Sequence, residues 1–67
     1  MEVIELRVSG MSCSHCEAAV REEVDLVPGV VSVSADAATG RVRIEGEGLD
    51  QSVLEAAVVE AGYAVEP

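Results

Sequence analysis

Cys13, His15 and Cys16 bring the chain's soft and borderline donors together in one run, Gly10-Met11-Ser12-Cys13-Ser14-His15-Cys16, which holds both cysteines and the single histidine. Two thiols separated by two residues can converge on one ion or close a disulfide, and the spacing alone permits both. Thiolate is the form that attacks disulfides and binds metal. It is favoured at a helix start, where free amide donors and the positive end of the dipole lie. A structural zinc site uses four ligands, more than this pair and His15 supply. Cu(I) prefers soft thiolates, and two sulfurs on an exposed loop can hold it while leaving a flank open to an incoming ligand. That is the chemistry of a carrier. Thiol–disulfide exchange is the rival chemistry, and it ordinarily sits in a larger, thioredoxin-type setting.

The surrounding pattern supplies the elements that position these residues. Ile4, Leu6 and Val8 alternate with Glu5 and Arg7, which predicts a half-buried strand over residues 3–8. From about Ser14 the period changes: Cys16, Ala19, Val20, Val24 and Val27 form one helical stripe, with Glu17, Arg21, Glu22 and Asp25 on the wet side, and Pro28-Gly29 ends it. Cys13 then lies in the loop and Cys16 in the opening helical turn. Val31, Val33 and Ala35, a Thr39-Gly40 turn, and Val42 and Ile44 read as a hairpin. Asp50 is placed as an N-cap before a second stripe of Val53, Leu54, Ala57, Val58 and Ala61, closed by Gly62, and Tyr63 to Val65 make a short last strand. The order predicts an α+β, ferredoxin-like βαββαβ sandwich: a four-stranded antiparallel sheet with both helices on one face, in a single domain over 1–67. The core is expected to be mostly Val and Ala, sensitive at Leu6, Ile44 and Leu54.

Composition narrows the function further. At 67 residues only one small core can form, which excludes a large multi-site enzyme. The 13 acidic residues face four arginines, giving a net charge of -9 and no basic footprint for nucleic acid or an anionic membrane. An acidic surface steers cations and basic partners. There is no apolar run of the roughly 20 residues that cross a bilayer, and the first residues lack the pattern of an export signal. The expected location is the cytoplasm, where thiols stay reduced. The carboxylates read as a solvated surface without an acid–base pair, so no enzymatic activity is expected.

The run Gly10-Met11-Ser12-Cys13-Ser14-His15-Cys16 resembles the Gly-Met-x-Cys-x-x-Cys signature of heavy-metal-associated domains. Val27-Pro28-Gly29-Val30 and Ala61-Gly62-Tyr63 resemble that family's first-helix end and the loop before its last strand, so the likeness spans essentially the whole chain. It implies Cys13 and Cys16 as metal-binding thiols, Met11 as a buried loop anchor, and Tyr63 beside the site. Ser12, Ser14 and His15 are auxiliary. The function it implies is that of a copper chaperone, which binds Cu(I) and passes it by ligand exchange to a copper-transporting P-type ATPase domain of the same fold. An excised ATPase domain carrying Cu, Zn/Cd or Hg is the alternative, with Zn(II) or another soft ion as cargo. The metal-free form is expected to be a monomer, and a metal-bridged dimer is the alternative when loaded. Some zinc-transporter domains place an acidic residue beside the pair, but a helix turns Glu17 about 100 degrees away from Cys16, which argues against it as a ligand.

Overall fold

A computed structural model describes residues 1–66, so Pro67, the end of the expected 1–67 module, lies outside the described residues. The first strand, β1 (Glu2–Ser9), buries Leu6 and Val8, half-buries Ile4 and leaves Glu5 and Arg7 in water, as its alternation requires. Next come α1 (Ser14–Asp25), β2 (Val30–Asp36), β3 (Arg41–Gly46), α2 (Gln51–Glu60) and β4 (Ala64–Glu66). The strands form one sheet in the order β2-β3-β1-β4, every pair antiparallel. Both helices contact each other as well as the sheet, giving the two-layer ferredoxin-like sandwich expected from the element order. Ile4 and Val33 face Ile44 across the strands while Leu6 and Ala35 face Val42, so one sheet face is a continuous apolar layer. Val20, Val24, Leu54 and Val58 close over it with no exposed surface, and Met11 seals its edge.

The boundaries shift where backbone chemistry overrides periodicity. Helix α1 ends at Asp25, earlier than the stripe through Val27 suggests. Pro28 disfavours helical geometry at the preceding residue. The Leu26 and Val27 amides instead make tight bonds to Glu23 and Val24 carbonyls, and Val27 is half-buried outside the helix. In β2 a register irregularity between Val30 and Ser32 turns Val31 outward, 62% exposed, and brings Val30 onto the core instead. Val53 flanks the buried stripe of α2 and is also exposed. Tyr63 stays in the loop before β4, its N–H bonded to the Val58 carbonyl at 3.3 Å.

Candidate metal centre

This connectivity gathers three connections at one end: the β1–α1 loop, the β2–β3 turn and the α2–β4 loop. Helix α1 opens at Cys13, whose extended backbone serves as N-cap without a side-chain cap bond. Its carbonyl accepts the Cys16 and Glu17 amides at 3.1 and 3.2 Å. Unused amides of the first turn and the dipole therefore lie beside the sulfurs. Both cysteines are free, with Sγ atoms 3.7 Å apart; Cys13 is exposed, whereas Cys16 is half-buried and packs against the core. The pair is thus asymmetric.

Polar neighbours concentrate on Cys16. Hydrogen bonding from the Tyr63 hydroxyl lowers its pKa most, followed by the Ser12 amide and hydroxyl, and together these outweigh the upward push of burial to bring the thiol from 9.0 to about 6. Ser12 Oγ stands 3.8 Å from the sulfur. The same contact holds the Tyr63 phenol above its ordinary value of 10.0, because a proton on the oxygen is what bonds the thiolate. Gly10, at φ +97°, makes room for the tyrosine: a Cβ there would stand 3.3 Å from Tyr63 Cδ1.

Of the other expected residues, Met11 is buried in the core cluster, while Ser14 and His15 are exposed on the opening turn. Among the described residues, no group of three or more His, Cys, Asp or Glu side chains is arranged to hold a metal ion. With a metal–sulfur distance of about 2.3 Å, sulfurs 3.7 Å apart subtend an angle of about 107° at a shared ion. That leaves a wide open flank, and rotation of the exposed Cys13 would open the angle further. Sequence patterning places Glu17 in water, yet its carboxylate accepts the Ala37 amide of the β2–β3 turn at 2.7 Å in a part-buried contact. Helical periodicity cannot reveal such a bond, since it depends on which loop folds over the helix.

The sandwich and its loop-borne dithiol define a class of small α+β modules that present a thiol pair at one end of the sheet. The chain belongs to the heavy-metal-associated domain family, whose pattern matches residues 5–64. It is 46% identical over 65 residues to a mercuric reductase of Acidithiobacillus ferrooxidans, covering 94% of this chain and 12% of that protein. It is 41% identical over 63 residues to copper-transporting ATPase 1 of Rhizobium meliloti (strain 1021), covering 91% and 8%. The chain therefore spans only a small part of these two relatives. The solved structure of a CopZ metallochaperone superposes with a TM-score of 0.93 at 30% identity, over 97% of this chain and 100% of that one. Among the described residues no helix is long and apolar enough to cross a membrane.

Proposed function

We propose that residues 1–67 form one metal-carrier module in which the Cys13 and Cys16 thiolates bind a single Cu(I) as cargo and release it to a second sulfur site by ligand exchange. The observation that carries this reading is the pair of free sulfurs 3.7 Å apart at the start of α1, Cys13 exposed and Cys16 half-buried, without a third such donor arranged beside them among the described residues. Two thiolates suit a soft ion of low coordination number, whereas they would leave a tetrahedral Zn(II) shell half empty. The two sulfurs are not equivalent toward a second site: Cys13 is exposed and reachable by an incoming sulfur donor, whereas Cys16 is half-buried against the core. No bond within a substrate is broken, so the module is not an enzyme.

The receiving partner in this reading is the metal-binding domain of a copper-transporting P-type ATPase, in the cytoplasm, with the metal-free carrier a monomer. Similarity to a metallochaperone and to a segment of a copper-transporting ATPase supports copper as cargo. The identity of 46% to a mercuric reductase favours a second reading, Hg(II) on the same two sulfurs, since that ion too is soft and accepts two thiolates.

Competitive titration of the fully reduced protein with Cu(I), Zn(II) and Hg(II) against calibrated chelators tests this. The expected result is one Cu(I) per chain, bound far more tightly than Zn(II), and lost by a large factor in Cys13→Ser and Cys16→Ser without loss of fold. Retained tight Cu(I) binding in either variant, or a preference for Zn(II), would overturn it. Hg(II) is the control for the second reading, which requires Hg(II) to hold the site in the presence of physiological thiol while Cu(I) does not.

A further inference from the structure

Glu17 follows Cys16 directly, and it is bonded in two directions. Its amide donates to the Cys13 carbonyl at 3.2 Å, and its Oε2 accepts the Ala37 amide at 2.7 Å. Ala37 begins the β2–β3 turn, which is fastened on its far side to β1. There the Val8 amide donates to the Gly40 carbonyl at 2.7 Å. Within the turn, the Gly40 amide bonds the Asp36 carbonyl at 2.9 Å and Asp36 Oδ1 accepts the Ala38 amide at 2.9 Å. Chain and hydrogen bonds make a closed circuit. It runs from Val8 through Gly10 and Cys13 to Cys16 and Glu17, across to Ala37, around the turn to Gly40, and back to Val8.

Both ends of the dithiol loop are thus tied to one turn. The first turn of a helix is its least secured part, and Cys13 gives this one no side-chain cap. A carboxylate–amide bond, being charge-assisted, is among the stronger ties available. We propose that Glu17 is a positioning residue for the thiol pair: by fastening the first turn of α1 to the β2–β3 turn, it fixes where Cys16 stands relative to Cys13. This rests on the reading of the two thiols as the cargo site, although the geometry does not depend on which ion they carry. Glu17 is not counted as a donor to that ion: its Oε2 is engaged at Ala37, and among the described residues no third such side chain is arranged with the two sulfurs.

The test uses a dibromobimane reagent, which fluoresces only after bridging two neighbouring thiols, so the second alkylation reads the placement of the pair without any metal. Glu17→Ala removes the acceptor, and Ala37→Pro removes the same bond from the donor's side. Glu17→Gln keeps an acceptor but discards the charge, and Glu22→Ala removes a carboxylate from an exposed position of the same helix. The expected result is bridging slowed about tenfold in Glu17→Ala and in Ala37→Pro, slowed by clearly less in Glu17→Gln, and within about twofold of the parent in Glu22→Ala. Unchanged bridging in both of the first two variants, or equal loss in Glu17→Gln and Glu17→Ala, overturns the proposal. Should Glu17→Ala fail to fold by circular dichroism, Ala37→Pro decides alone. Cu(I) competition on the parent protein is run in parallel. Failure there removes the cargo reading, while the bridging rates still decide the role of Glu17.

Discussion

At the scale of single residues, the two thiols differ in chemistry because they differ in neighbours. Hydrogen bonds from Tyr63 and Ser12 stabilise the Cys16 thiolate, while Cys13 stands in water. The alkylation rate of Cys16, measured against pH in Cys13→Ser, should rise with a midpoint near 6, because the thiolate is the attacking form and its share grows as pH climbs through that value. Tyr63→Phe removes the largest contribution and should move the midpoint up toward 9.0. A midpoint that stays put in Tyr63→Phe would mean that the helix start, not the phenol, sets the acidity. The cysteine pair was legible in the sequence because its spacing has few uses, and the buried Met11 followed from its place at the loop base. Tyr63 was placed beside the site through the family resemblance, not through any local pattern, and what Glu17 touches was not legible at all. Both contacts join residues far apart in the chain, and nothing in a local pattern shows which side chain a folded loop will meet.

At the scale of elements, the alternation of β1 and the stripe of α2 were legible because each burial pattern repeats over several residues. Their ends were not, since a terminus is decided by one or two backbone groups: Pro28 shortened α1 and the irregularity at Val30/Ser32 exchanged Val31 for Val30. The tightest such constraint lies where the α1–β2 connection crosses the end of β3. A Cβ on the buried Gly46 would overlap the Gly29 carbonyl, and one on Gly29 would overlap the Glu47 carbonyl, so two backbones approach more closely than any side chain permits. The Glu47 amide bonds that Gly29 carbonyl at 2.9 Å, so the clash cannot be relieved without breaking a hydrogen bond. Gly46→Ala should therefore destabilise the fold by about 3 kcal/mol or more, read from denaturant midpoints at constant m. Gly48→Ala is the comparison. A Cβ there meets nothing within 4 Å, so at φ +64° it should cost only the left-handed strain, about 1–2 kcal/mol. Equal losses in the two variants would show that the crossing gives way and costs no more than the left-handed strain at Gly48, since Gly46 itself has no positive φ.

At the scale of the whole molecule, the order of the six elements made the architecture legible, because each segment's period was distinct and strands and helices alternate in a sequence that few sheets accommodate. The distribution of charge was not legible, since it depends on register. Arg7, Arg41 and Arg43 lie on the open face of the sheet, opposite Glu66, Asp36 and Glu5 respectively, so that face is close to neutral. Most of the net charge of -9 is left to the helices and loops, where Arg21 is the sole arginine. Among the described residues two ion pairs form, Met1 amino group–Glu47 at 3.3 Å and Arg43–Glu45 at 3.6 Å, both at solvent-accessible groups and worth little. Repulsion among unpaired carboxylates should therefore outweigh the attraction that salt would screen. The molecule measures 29 × 18 × 18 Å, so at about 0.01 M salt, where the screening length is about 30 Å, every charge acts on every other. At about 0.1 M that length falls to about 10 Å and only near neighbours still interact. The thermal midpoint should rise over this interval, by about 4–8 °C for each kcal/mol of repulsion relieved in a domain of this size. A midpoint that is flat or falls with added NaCl would mean that the sheet-face arginines and their carboxylate neighbours contribute more than the crowding of charge on the helical layer.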